Sequence, residues 1–304
     1  MSFYRDFNDK TAIAAWNSVE RKPYETITVT RLSPAAGAEI SGVDLTKDVS
    51  DQQFAEIRRA IDENLAVIFR DQKISREQQK RFALRFGGSL HRHELAASKI
   101  GEGAVYDPEF LSWRTGPESR FTAGDGWHPD VSCDPEPIFV SLLHVTKTPP
   151  LGGDTAFANS YLAYESLSEP FKAFLSGLTA IHDGAEGWSA SYGAQPQDGK
   201  SFPASEHPVV VTHPRTGRKF LYVNRSFTTH IVQLTRKESD AVLAELFRHV
   251  EAQLPFQTRI HWTPDSLLVW DNWATQHHAV WDYYPHERWG DRVSVVVPGQ
   301  RPTA

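Results

Sequence analysis

Read from its N-terminus, the chain changes its hydrophobic period several times. Residues up to about 25 are polar and aperiodic, and are expected to form an irregular arm ahead of a single domain over 26–304. "TITVTRL" (26–32) alternates apolar and polar positions, the two-residue period of a half-buried strand. "SDQQFAEIRRAIDEN" (50–64) switches to a helical period behind Ser50, whose side-chain oxygen can cap the first turn. "LAVIFR" (65–70) is an apolar run of strand length. "SREQQKRFALRFG" (75–87) opens with Ser75 and Gln78 spaced as a capping box and stops at Gly87, which predicts a helix.

The period lapses over residues 88–126, which mix Gly, Glu, Arg and aromatics. So long an aperiodic stretch inside a compact domain marks a functional or mobile segment. "PIFVSLLHVT" (137–146) reads as a buried strand, and "SYLAYESL" and "SEPFKAFLSGL" (160–178) as short helices. Gly, Ser and Pro dominate 183–206, a candidate lid. "HPVVVTH" and "KFLYVN" flank the turn "PRTG" as a hairpin over 207–224. "TRKESDAVLAELFRHVEAQ" (235–253) is a helix with a capping box at Thr235 and Glu238. "QTRIHW", "SLLVWDN", "HAVWDY" and "RVSVVVP" follow as four short strands. Many short strands with helices outside the strand blocks predict a mainly-β chain with flanking helices (α+β), built as a sandwich or jelly roll. No Gly-rich loop follows a strand, so a nucleotide-binding sheet is not expected.

Composition narrows the partners. The 304 residues are 40% apolar and 23% charged, as in ordinary globular proteins. A net charge of −6 argues against a nucleic-acid partner. No apolar run approaches the roughly 20 residues of a membrane span. The first residues lack the apolar core of a secretory signal, so a cytoplasmic location is expected. Cys133 is the only cysteine, which excludes an intrachain disulfide and a thiolate cluster. It reads as a small packed residue, and any metal must be held by His, Asp or Glu.

Candidate chemistry begins at "GWHPDVS" (126–132). His128 and Asp130 stand two apart, and in extended chain such residues point to the same side. The pair alone suits a satisfied polar pair better than a metal site. "WDNWATQHHAVWDY" (270–283) offers a third ligand, since His277 and His278 lie 149 and 150 residues beyond His128. Being adjacent, they should face opposite ways, so one can ligate. Two histidines and a carboxylate on one face of an ion leave the other positions open, as in non-haem Fe(II) oxygenases. The same donors suit zinc, so a zinc-dependent hydrolase remains an alternative. A non-catalytic ligand-binding jelly roll is another. Arg288 and Arg292, four apart, are either surface groups or an anion clamp, and the clamp would count against that last reading. "GGDT" (152–155) reads as a turn whose Thr155 could donate its hydroxyl to a bound carboxylate.

Taken together, these residues resemble the taurine dioxygenase (TauD/TfdA) family of Fe(II)- and 2-oxoglutarate-dependent dioxygenases. The resemblance runs from about residue 26 to 299 through "GAEISGVDL", "WHPDVS", "GGDTAFANSYLAYESLSEPFKAFLSGL", "HPVVVTHPRTGRKFLYVN", "FTTHIV" and "WDNWATQH". Gaps of 27 from His128 to Thr155, and of 11 and 15 from His277 to Arg288 and Arg292, match the family. The resemblance implies a double-stranded β-helix, the cupin-like jelly roll. It implies Fe(II) on His128, Asp130 and His277, with O2 and 2-oxoglutarate as co-substrates and Thr155 and Arg288 on the distal carboxylate of the latter. It places His93 and Arg292 at the substrate's anionic group, Phe227 and Trp188 as pocket aromatics, and His278 in a supporting role. Ala96, Gly124 and Gly187 fall where taurine-specific members carry larger, hydrogen-bonding side chains. The implied substrate is therefore a small organic anion larger and more apolar than taurine: an alkyl or aryl sulfonate, a sulfate ester or an aryloxyalkanoate. A homo-oligomer, dimer or tetramer, is expected.

Overall fold

The apolar run ending at Phe69 becomes a central strand of the molecule. The computed structural model describes residues 8–93, 107–190 and 201–304. In chain order its strands are β1 (Thr28–Arg31), β2 (Ala38–Ser41), β3 (Ala66–Phe69), β4 (Ser89–Leu90), β5 (Leu111–Thr115), β6 (Val140–Lys147), β7 (Thr155–Asn159), β8 (Thr179–Asp183), β9 (Ala204–Pro208), β10 (Val210–Thr212), β11 (Lys219–Leu221), β12 (Thr228–Ile231), β13 (Gln257–Ile260), β14 (Ser266–Asp271), β15 (Thr275–Ala279) and β16 (Arg288–Val296). The helices are α1 (Asn8–Ser18), α2 (Asp51–Asn64), α3 (Arg76–Leu84), α4 (Ser160–Glu165), α5 (Glu169–Leu175) and α6 (Arg236–Glu251).

The large sheet runs β1-β2-β3-β14-β6-β16-β4, with β5 also paired to β16. A small sheet, β13-β7-β15, lies against it. Phe157 and Ile260 of the small sheet bury with Ile68, Leu143, Leu268 and Trp270 of the large one. Fully buried strands read as continuous apolar runs, which is why "LAVIFR" and "SLLVWDN" lack alternation. The sheet-on-sheet core with helices outside is the expected mainly-β jelly roll.

Helix α2 buries Phe54, Ile57, Ala60 and Ile61, a stripe at helical spacing, and Ser50 accepts from the Gln53 amide as its cap. The α3 capping box at Ser75 and Gln78 forms as read. Buried Gln79 of α3 donates to the carbonyls of Leu142 (3.1 Å) and Asp291 (3.0 Å), tying the helix to β6 and β16.

Three local expectations change. Part of the N-terminal stretch is not irregular: it forms α1, with Ala12 and Trp16 buried and the Trp16 ring 6.1 Å from Tyr161 of α4. Two buried positions four apart are too few to register as a period. The "HAVWDY" strand starts earlier and ends at Ala279, so His277 and His278 lie inside β15 rather than beyond a strand. Residues 126–132 are not a strand either. His128 makes one isolated bridge to His277, and a turn follows. Residues 94–106, with Ala96, and 191–200 of the expected lid lie outside the described residues. The described flanks of that lid are β8, a wide helical turn at Ala185–Ala190 and β9. Among the described residues no helix is long and apolar enough to cross a membrane.

Candidate metal centre and active site

The small sheet fixes the first donor. In β15, His277 pairs with Phe157 of β7, and its backbone exchanges both hydrogen bonds with His128 (N to O, 2.8 and 3.1 Å). This bridge sets the two imidazole rings 4.3 Å apart, centroid to centroid. Asp130 Oδ1 lies 3.9 Å from His128 Nε2 and 3.7 Å from His277 Nε2. Among the described residues this His128–Asp130–His277 trio is the group able to hold a metal ion. His278 points away, toward Asp125 (3.7 Å) and the Trp127 ring, as alternation along a strand requires.

Protonation states suit a cation. Burial, above all, lowers both imidazole pKa values, so each ring is neutral with a lone pair to offer. The Nδ1 of His128 lies 2.7 Å from the Gly126 carbonyl; with its N–H there, Nε2 is the free lone pair. Burial would raise the Asp130 carboxyl, but the Arg292 guanidinium, helped by the Ser141 hydrogen bond, holds it well below the usual carboxylate range. Two neutral imidazoles and a carboxylate anion form a donor set that fits Fe(II).

Asp130 is held from several sides. Ser141 of β6 donates to Oδ2 (2.8 Å). Asn272, after β14, accepts from the Asp130 amide (2.8 Å) and donates to its carbonyl (2.9 Å). Arg292 of β16 hydrogen-bonds Oδ1. Val131 follows at φ 51°, a left-handed conformation that costs energy for a β-branched residue, so the turn is dictated by these anchors. The sequence reading did not single out Ser141 or Asn272. "WDNW" contains Asn272, but nothing local reveals a partner 142 residues away.

Thr155 opens β7, and Arg288 opens β16. The Thr155 hydroxyl oxygen accepts from Trp262 Nε1 (3.0 Å) and Arg288 Nη2 (3.3 Å), which leaves its proton free to donate. Arg288 is 1% exposed, has no carboxylate at ion-pair distance among the described residues, and its Nε lacks a partner. The turn that presents Thr155 is fixed by Asp282, which accepts from the Gly153 amide (2.8 Å). Gly152 has φ +78°, and a Cβ there would fall 2.4 Å from Asp282 Oδ1. Gly152→Ala should cost about 1–2 kcal/mol from its left-handed backbone alone, plus the displaced Asp282 contact; thermal unfolding measures the loss.

A cavity of about 830 Å3 joins these groups. His93 is buried at its wall, its pKa pushed down to about 2 by burial and then by Arg292, and its Nε2 has no partner among the described residues. Trp188 and Phe227 line it with ring centroids 5.9 Å apart. Gly187 backs Phe227 so closely that a Cβ would lie 2.3 Å from its ring. Gly124 borders the cavity at φ +82° but sits under His128, since a Cβ would meet the Cε1 of that ring at 3.3 Å. Cys133 is fully buried beside Val131 and Phe227, and burial raises its thiol pKa, in keeping with a packing role.

Comparison with known proteins identifies the family of the chain. The family model for taurine catabolism dioxygenases TauD, TfdA matches residues 28–294. An alpha-ketoglutarate-dependent sulfonate dioxygenase of Saccharomyces cerevisiae is 34% identical over 268 residues, covering 84% of this chain and 63% of that protein. The chain thus spans under two thirds of the length of that relative. The crystal structure of a taurine dioxygenase from Burkholderia xenovorans is 34% identical, covers 90% of each chain and superposes with a TM-score of 0.75. A crystal structure of AAD-2 in complex with Mn(II) and N-oxalylglycine is 27% identical, with a TM-score of 0.75 over 92% of this chain and all of that one. With a family match across most of its length and a shared jelly-roll fold, the chain belongs to the TauD/TfdA family of dioxygenases.

Proposed function

We propose that this protein is an Fe(II)- and 2-oxoglutarate-dependent dioxygenase. It would hydroxylate a small organic anion (an alkyl or aryl sulfonate, a sulfate ester or an aryloxyalkanoate) and turn 2-oxoglutarate and O2 into succinate and CO2. The observation that carries this reading is Arg288, a buried cation without a carboxylate partner among the described residues, in the same cavity as the His128–Asp130–His277 donor set. A buried guanidinium needs an anion, and its planar fork matches a carboxylate. A dicarboxylic co-substrate supplies one carboxylate for Arg288 and Thr155 and keeps its oxo-acid end for the metal. Zinc hydrolysis gives Arg288 no such task.

When bound, iron supplies O2 activation. The chain's own residues orient and seal. The His128 contact to Gly126 fixes which nitrogen faces the ion, and Asp130 is pinned by Ser141 and Asn272. Thr155 and Arg288 hold the distal carboxylate. His93 and Arg292 take the anionic group of the substrate, and Phe227 and Trp188 pack its apolar part. Hydroxylation at a carbon bearing a sulfonate, sulfate or aryloxy group gives an adduct that collapses to a carbonyl and frees that group. The names of the yeast and Burkholderia relatives support the sulfonate class.

The test is succinate release with Fe(II) and 2-oxoglutarate over a panel of sulfonates, sulfate esters and aryloxyalkanoates. At least one class should raise succinate above the substrate-free background. Taurine as the best substrate by kcat/KM would contradict the larger, more apolar substrate, and no stimulation by any class would overturn the substrate reading altogether.

A further inference from the structure

We propose that Asp134 is a second recognition point in the substrate cavity, selecting anionic substrates that also carry a hydrogen-bond donor, an ammonium or a hydroxyl group. This rests on the dioxygenase reading above. Asp134 stands four residues beyond Asp130, where its amide donates to the Val131 carbonyl (3.2 Å) and closes the turn. Its carbonyl lies 3.0 Å from His207 Nε2, so the backbone is anchored independently of the side chain. The residue is half-buried and lines the same cavity as the metal site.

Among the described residues no side chain or amide donates to the carboxylate, and no cation is close enough to lower its pKa. Burial alone pushes that carboxyl up to about 6. Asp130, buried nearby, has Ser141 and Arg292 instead. A half-buried carboxylate on the cavity wall, with no donor among the described residues, can accept from a group that arrives with the ligand. Arg292 is bonded to Asp130 and, among the described residues, not to Asp134, so the carboxylate of Asp134 is left to a different group. Val131 and Phe227 give the same cavity an apolar wall. A chain longer than that of taurine, apolar in its middle with an anion at one end and a donor at the other, fits this layout better than a plain alkyl anion.

The experiment uses butanesulfonate and its terminal hydroxyl and ammonium derivatives with wild type, Asp134→Asn and Asp134→Leu, all loaded with Fe(II) and 2-oxoglutarate. Wild type should show a KM about 10- to 100-fold lower for the donor-bearing compounds, the range of a charged hydrogen bond. Asp134→Leu should erase the preference while leaving the butanesulfonate KM equal or lower, with kcat moving less than KM. Asp134→Asn, nearly isosteric, should lose the ammonium preference and keep part of the hydroxyl one, which covers the case of a poorly folded leucine variant. Equal KM values in wild type, or a preference surviving both substitutions, overturns the role of Asp134 while the dioxygenase reading stands. No succinate from any compound overturns both.

Discussion

Asp130→Asn removes metal-dependent turnover. The substitution keeps the shape of the side chain but removes the anionic ligand, and loss of supporting contacts alone already costs metal sites about 10–100-fold in affinity. Calorimetry with Mn(II) should show at least that loss, and succinate production should fall to background. Asp130→Ala adds a folding penalty, because Arg292, 8% exposed, is left without its carboxylate. Breaking a buried ion pair from one side costs about 3–5 kcal/mol, a fall of roughly 5–10 °C in Tm. Wild-type Mn(II) affinity in Asp130→Asn would remove the residue from the metal site.

Arg288→Ala raises the 2-oxoglutarate KM about 10- to 100-fold, the effect of losing a charge-assisted contact to a carboxylate. The substrate KM should move little, since Arg288 bonds Thr155, the other residue proposed to hold the co-substrate. 2-oxoglutarate should raise the Tm of wild type, as any ligand of the folded state does, and should lose that effect in the variant. Arg288→Lys should not restore it: an ammonium lacks the planar fork that bonds Thr155 and a carboxylate together. An unchanged KM in Arg288→Ala would leave the arginine a purely structural role.

The local elements were legible because their signals are local. Ser50, Ser75 with Gln78, and Thr235 with Glu238 cap the helices where the sequence places them, each acting within one turn. The apolar runs of β3 and β14 mark strands buried on both faces. Helix α1 escaped notice because its two buried residues become apolar contacts only against α4.

At the site, the sequence supplied residue types, order and spacing, and through the strand period it showed that His277 and His278 cannot both ligate. The tertiary structure decided which one meets His128 and Asp130, through the pairing of His128 with His277 across the edge of the small sheet. It also decided that Asn272 and Ser141 pin Asp130, that Gly124 sits under His128, and that Asp134 lines the cavity without a hydrogen-bonding partner among the described residues. Caps and periods arise between residues a few positions apart, so they are written in the chain. Partnership across 100 residues or more depends on sheet register and side-chain direction, which exist only once the two sheets have closed on their core.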